Sequence, residues 1–220
     1  MSAFAQIPEK PMITTTGKAI VYAEPDEVII NIRIYNEAKS LEEAKQASDK
    51  VAKAIIGYCR QMKIEDKHVQ TDYLSITTNY RRHNQSNQQI IFTASQNISV
   101  CLKDLSLYED VMEGFIARGV YGVSSSQFRT TEMRKYKDMA RVKAIKAAKE
   151  KAVLLATELQ RKVGAAHYIS EVTPHRNQPM TRMAYANTMG EMAGDGGGDD
   201  TIAPGQLVIS TEVEVTFMLE

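Results

Sequence analysis

The sequence predicts an α+β fold, in which antiparallel or mixed sheets pack against three helices. Several runs alternate apolar and polar residues with the period of a strand, as where Val28, Ile30 and Ile32 alternate with Asn31 and Arg33. A second observation is a helical pattern of about 30 residues near the middle of the second half. Because hairpin-like strand pairs are mixed with helices, the pattern is typical of the α+β class.

The longest predicted helix spans about 134–163. Its apolar residues are spaced by three and four, which places them on one face. They are Ala140, Ala144, Ile145, Ala148, Ala152, Leu155, Ala156, Leu159 and Val163. No Pro or Gly interrupts the run, and Gly164 is the expected left-handed cap at its C-terminal end. The small alanine side chains indicate close packing against a flat partner, most naturally a β-sheet.

Two shorter helices are predicted from capping boxes. Ser40 followed by Glu43 begins the first, which runs to about Lys63. Ser106 followed by Glu109 begins the second, which stops at Gly119. Each box supplies a hydroxyl and a carboxylate that satisfy free backbone N–H groups at a helix start.

The strands flank these helices. Residues 13–22 and 28–35 are predicted to pair as a hairpin, as are 68–80 and 89–103. Further strands are predicted at 121–131, at 166–174 and in the last residues from Leu207 to Leu219. The chain is expected to be a single domain over 13–220, possibly with two halves at 13–103 and 104–220.

Charge and cysteine content exclude several classes of protein. Lys plus Arg and Asp plus Glu number 27 each, so no overall charge favours nucleic acid. Residues 134–163 nevertheless carry a net charge of +7, which indicates a solvated helix face or a surface for phosphate or acidic lipid. Cys59 and Cys101 are interpreted as buried free thiols. No apolar window of about 18 residues predicts a membrane span.

Two segments are expected to lie outside the packed domain. Residues 1–12 are predicted to be disordered, and Ala3-Phe4-Ala5 has the form of the end of a removed export signal. Residues 176–204 lose all periodicity and, with Gly194 to Gly198, predict a flexible loop.

The predicted loop carries the candidate contact residues. They are Met180, Met183, Met189 and Met192, with His175 nearby. Methionines supply adaptable apolar contacts, which favours a subunit or partner contact. Thioethers also suit Cu(I), so soft-metal or small-ligand binding by residues 175–192 is the alternative.

No catalytic constellation is found in the sequence. The four histidines stand at no metal-ligand spacing, and no phosphate-binding loop or nucleophile elbow is present. The protein is therefore expected not to be an enzyme and to need no cofactor.

Five stretches occur in the order of a known family. They are Gly17-x-Ala19-x-Val21 with Pro25-Asp26, residues 64–71 leading to Tyr73 and Tyr80, Ala140-Arg141-x2-Ala144-x3-Ala148-x2-Lys151-Ala152, Ile169-x-Glu171, and Pro204-Gly205 before Val213-x-Val215-x-Phe217. Together they cover nearly the whole chain and resemble the SIMPL domain, also called DUF541, of bacterial envelope proteins. The resemblance implies an α+β fold, a periplasmic or outer-envelope location, self-association and a loose link to stress responses, with no catalytic residues.

The sequence and the resemblance together predict a non-enzymatic envelope protein that works by self-assembly or by binding an envelope partner.

Overall fold

The computed structural model describes residues 10–84, 87–172, 180–181 and 205–220. The chain divides into two compact units. The continuous unit is formed by residues 25–131, and the split unit by residues 1–24 together with 132–220. This division differs from the halves at 13–103 and 104–220 that the sequence suggested.

The helices and strands of the described residues follow the predicted order closely. The strands are β1 (Met12–Ala23), β2 (Glu27–Ala38), β3 (Val69–Thr71), β4 (Ser75–Asn84), β5 (Asn87–Leu102), β6 (Gly122–Arg129), β7 (Val163–Val172), β8 (Met180–Thr181) and β9 (Leu207–Leu219). The helices are α1 (Leu41–Gln61), α2 (Tyr108–Ala117) and α3 (Met133–Glu158). Three helices with two antiparallel sheets confirm the predicted α+β class.

In the split unit, β9 is the central strand of the sheet. It pairs antiparallel with β1 on one side, from Met12 opposite Met218 to Ala23 opposite Leu207, and with β7 on the other. The two-residue strand β8 pairs with the start of β9. The predicted hairpin between 13–22 and 28–35 is therefore wrong, because the partner of the first strand lies at the far end of the sequence.

In the continuous unit, β2 lies between β5 and β6, while β3 and β4 both pair with β5. The predicted pairing of 68–80 with 89–103 is confirmed in β3, β4 and β5. Alternate residues of β2 point into a core shared with α1 and α2. The fully buried members of that face are Val28, Ile30, Ile32 and Ile34. Since β6 pairs with β2, it belongs to this unit and not with the residues that follow it.

The helix starts confirm the serine cap of one predicted box and contradict that of the other. Ser40 Oγ accepts the backbone N–H of Glu43 at 3.2 Å, as predicted for α1. Ser106 does not cap α2, which begins at Tyr108 with Leu107 at its N-cap. Asp104 instead accepts the N–H of Ser106 and caps a short 3-10 helix that leads into α2.

The long helix ends earlier than predicted. α3 stops at Glu158, and Gly164 lies in β7 and not in a helix cap. The left-handed position is taken by Gln160, with φ 54°. The N–H of Gln160 bonds to the carbonyl of Thr157 and that of Arg161 to the carbonyl of Ala156, which is the hydrogen-bond pattern of a Schellman cap.

Candidate docking surface on the long helix

A row of alanines determines how α3 lies on its sheet. The residues at four-residue spacing are fully or almost fully buried: Ala140, Ala144, Ala148, Ala152 and Ala156. The middle three pack against Val213, Val215 and Phe217 of β9, as the predicted close packing requires. Because no alanine extends beyond Cβ, the helix backbone approaches the sheet closely.

β1 makes the same close approach from the sheet side. A Cβ atom added at Gly17 would collide with the backbone of Ala144 and Ala148. Two residues away, the buried Thr15 donates its hydroxyl to the carbonyl oxygen of Ala148 at 2.9 Å. This bond satisfies the hydroxyl that the close contact removes from water. Gly17 thus leaves room for the helix backbone, and the hydrogen bond from Thr15 holds the helix in this position.

Most of the remaining residues of α3 are exposed. An i, i+4 row covers only a narrow strip, so the residues between successive alanines point sideways or outward. Large apolar side chains of α3 have exposed fractions of 42–64%: Met139, Val142, Ile145, Val153, Leu154 and Leu155. Leu159, directly after the helix, is 75% exposed. The prediction that Ile145, Leu155 and Leu159 share the buried stripe is wrong, because the alanines alone occupy the contact with the sheet.

We call the exposed side of α3 the outer face, and define it by Val142, Lys146, Glu150 and Leu154. These residues follow each buried alanine by two positions and so point away from the sheet. Two shallow apolar grooves run along it, one beside Val142 and one beside Leu154. The charged Lys146 and Glu150 lie between Val142 and Leu154 on this face. Exposed apolar patches rimmed by polar residues mark sites where another molecule binds.

The electrostatics of α3 favour an anionic occupant. Arg141 is already paired, with Asp138 at 2.7 Å and Glu171 at 3.1 Å, and the hydrogen bond that it donates to Glu171 raises the pKa of its guanidinium. Lys143, Lys146 and Lys149 have no carboxylate within ion-pair distance among the residues that the structure describes. Their charges are therefore available to a molecule that approaches the outer face.

The candidate residues of the sequence lie almost wholly outside the described part. Met183, Met189, Met192 and His175 fall outside it, and Met180 is placed by its backbone alone, in β8 opposite Val208. Contact and Cu(I) binding by these methionines stay predictions. Within the described ranges, no three His, Cys, Asp or Glu side chains converge on one point as a metal would require.

The cysteines are free, as predicted. Cys59 is fully buried in the core of the continuous unit, and burial raises its pKa to about 11. Cys101 is only half-buried, which corrects the prediction that both are buried. Neither thiol has the lowered pKa that a reactive cysteine needs.

Sequence reasoning missed the outer face. The usable signal was the strict four-residue spacing of Ala140 to Ala156, because five alanines in a row at i, i+4 already account for a complete helix–sheet contact. Any larger apolar residue in between then has to be exposed.

Comparison with known proteins identifies the family. The family model described as a protein of unknown function, SIMPL (DUF541), matches residues 13–217. The chain belongs to the SIMPL family. That match spans both units of the SIMPL chain, so the split unit and the continuous unit together make up the family's domain.

Relatives of the SIMPL chain extend over nearly its full length. The uncharacterized protein YggE of Escherichia coli K12 is 26% identical over 216 residues, which cover 98% of this chain and 86% of that protein. A 26 kDa periplasmic immunogenic protein of Brucella melitensis is 24% identical over 230 residues, covering 100% of this chain and 91% of that protein. The YggE of Edwardsiella ictaluri is 23% identical over 181 residues, covering 81% and 76%.

Among the residues that the structure describes, no helix is both long and apolar enough to cross a membrane.

Proposed function

We propose that this SIMPL protein is a non-enzymatic protein of the cell envelope that acts by assembling with further copies of itself. The observation that carries the proposal is the outer face of α3, where large apolar side chains stay exposed beside lysines without ion-pair partners. A contact that covers this face would remove apolar area from water at about 25 cal/mol per Å².

The charge distribution of the chain favours one arrangement of two copies over another. Residues 134–163 carry +7 and the rest of the chain −7, so two outer faces in mutual contact would place like charges together. The outer face of one copy against an acidic surface of the next is instead favourable. Such a head-to-tail contact repeats from copy to copy and generates rings or filaments.

An envelope location is part of the same proposal. It is supported by the Brucella relatives, which are named periplasmic proteins, and by the envelope assignment that the family resemblance implies. Osmotic-shock fractionation of the source cell, with a cytoplasmic enzyme as marker, is expected to release the protein with the periplasmic contents. Recovery with the cytoplasmic marker would overturn the location.

Light scattering tests the assembly. We expect the unaltered protein to have a mass several times that of one chain, and the double variant Val142→Ser, Leu154→Ser to shift toward the monomer. Raising NaCl from about 0.05 to about 0.5 M should lower the mass as well, since exposed charges are screened.

The matched control is Tyr73→Ser, which removes a large side chain that is 99% exposed on the continuous unit. It is expected to leave the mass unchanged. A protein that is monomeric without substitutions would exclude self-assembly and leave a different envelope protein as the partner of the outer face. An assembly that both variants leave intact would show that other residues form the contact.

A further inference from the structure

A pocket in the continuous unit is separate from the outer face. It has a volume of about 430 Å³ and lies where the end of α1, the short 3-10 helix before β3 and the end of β5 meet. Part of its wall comes from residues 64–71, one of the stretches that carry the family resemblance. The proposed assembly makes no use of it.

His68 is the notable polar group of the pocket wall. Its side chain is only 19% exposed, and its Nε2 atom is buried without a hydrogen-bond partner among the described residues. The nearest carboxylate oxygen, Glu65 Oε1, is 4.0 Å away, beyond hydrogen-bond distance, and Glu65 is held by Lys67 at 2.7 Å. A buried polar atom left unpaired is costly, so a partner from outside the protein is favoured.

Two lysines and two carboxylates line the pocket, and the lysines are the groups that are left to bind an anion. Lys63 and Lys103 both line it, and neither forms an ion pair within the described part of the chain. Lys63 is fixed in the left-handed conformation, φ 58°, by the cap that ends α1. Asp104 is engaged, since its Oδ1 accepts the N–H of Ser106 at 3.1 Å and the hydroxyl at 2.6 Å.

The rest of the wall is apolar. Ile64 and Leu102 are buried, with 8% and 2% exposure, and Met62 and Leu107 pack against the same core. A simple inorganic anion would leave these walls in contact with water. Cys101 also lines the pocket, where burial raises the pKa of its thiol and keeps it protonated, so it adds no negative charge.

We infer that this pocket binds a small organic carboxylate with an apolar chain. The carboxylate lies near the ammonium groups of Lys63 and Lys103, while the chain lies against Ile64 and Leu102. A small rotation of the His68 ring brings Nε2 to the pocket surface, where the carboxylate accepts its N–H. A pocket of this size, apolar with a few converging polar groups, is the usual form of a small-molecule site.

Titration with sodium octanoate, followed by amide NMR shifts, tests the inference. We expect saturable shifts at Ile64, His68 and Leu102, with a Kd below about 1 mM. Lys103→Glu is expected to weaken octanoate at least about tenfold, because it places a like charge beside the carboxylate. His68→Phe, which keeps the bulk of the ring and removes the N–H donor, should weaken it as well.

Lys53→Glu is the matched control, because it makes the same charge change on the exposed side of α1. It should leave octanoate binding unchanged, and circular dichroism of each variant shows whether the fold is kept. 1-Octanol separates the carboxylate from the chain, and is expected to bind at least about tenfold more weakly than octanoate. A pocket that holds only water would show no shifts, and equal binding of octanoate and octanol, or an unchanged Kd in Lys103→Glu, would also overturn the inference.

Discussion

The two units bury their helices in different ways. In the continuous unit, α1 buries Ile55 and Cys59, and its neighbours Val51, Tyr58 and Met62 pack half-buried against the same core. In the split unit, α3 buries nothing larger than alanine. The contact of α1 is therefore several residues wide, whereas that of α3 is one residue wide.

The difference shows what a row of small residues does. Large side chains hold a helix away from the sheet but let flanking positions reach the core, so a broad face is covered. A row of alanines brings the backbone down onto the sheet, as the collision expected at Gly17 indicates, and turns the flanking positions outward. The narrow contact of α3 leaves free the apolar side chains that the proposed assembly needs.

The largest loss of stability is expected in the core of the continuous unit, which α1 and α2 share. Phe115 is fully buried, and its ring meets that of Tyr58 edge to face at 6.1 Å between centroids. Phe115→Ala should reduce the free energy of unfolding by about 3–5 kcal/mol, because it removes a large buried ring and leaves a cavity. Urea unfolding measures the loss. Leu154→Ala, measured at about 0.5 M NaCl and low protein concentration so that the proposed assembly is dissociated, is the contrast and should cost under about 0.5 kcal/mol.

In the narrow contact between α3 and its sheet, replacing an alanine by a larger residue is expected to destabilise the protein. Ala148→Leu adds bulk where the helix backbone already touches β1, and should cost about 1–3 kcal/mol by overpacking. Lys146→Ala, two positions earlier on the outer face, should change stability by under about 0.5 kcal/mol. Thermal unfolding of both variants checks the pair. Equal effects would show that α3 faces its sheet with a different row.

A helix in each unit ends in the same strained backbone conformation, so the two helix ends can be compared directly. α1 and α3 each end in a Schellman cap whose left-handed residue is not glycine: Lys63 at φ 58° and Gln160 at φ 54°. Lys63→Gly and Gln160→Gly should each stabilise the protein by about 0.5–1 kcal/mol, because glycine adopts this conformation without steric cost. Lys149→Gly, in the middle of α3, should instead destabilise it by about 1 kcal/mol. The denaturant concentration at the midpoint of unfolding should rise for Lys63→Gly and Gln160→Gly and fall for Lys149→Gly.

The smallest expected effect is a pH dependence confined to the continuous unit. Burial raises the pKa of Asp26, but hydrogen bonds from the Thr131 hydroxyl at 2.6 Å and backbone N–H at 2.8 Å outweigh it, so the pKa is lowered. The folded state thus favours the ionised carboxylate. Its stabilising contribution is present above the unfolded pKa of about 3.9 and is lost as the pH falls through the lower folded value.

Asp26→Asn tests this dependence. The variant should be less stable than the original protein at pH 7, and the difference should shrink as the pH falls below about 4. Thr131→Val removes the hydroxyl donor of Thr131 but keeps its backbone N–H, and should produce a smaller loss with the same trend. A stability difference that stays constant between pH 7 and pH 2 would contradict the assignment.

The sequence predicted local structure correctly where neighbouring residues determine it. The alternation in β2 and the cap at Ser40 were predicted, because the residues that decide them lie within a few positions of one another. The cap at Gly164 failed for a physical reason. Glycine is favoured at a helix end, but the bonds from Gln160 and Arg161 close the last turn of α3 earlier.

Long-range pairing did not follow from the sequence. Residues 13–22 and 28–35 both read as strands, and proximity favoured a hairpin, although only the match with β9 buries Val213, Val215 and Phe217 beneath α3. The site was missed for a related reason. Val142 and Leu154 are exposed because the buried alanines bring the helix so close to the sheet. The helix propensity of a single residue carries no information about this distance.

The pairing of β1 with β9 also sets an order of events during synthesis. β1 leaves the ribosome first, but its partner strand is made only after every other described element. The strands of the continuous unit have their partners within residues 25–131, so that unit can fold while translation proceeds. β1 and the alanine row of α3 wait for residues 207–219. We therefore expect a nascent chain stopped before residue 207 to protect the continuous unit from protease and to leave β1 open to cleavage.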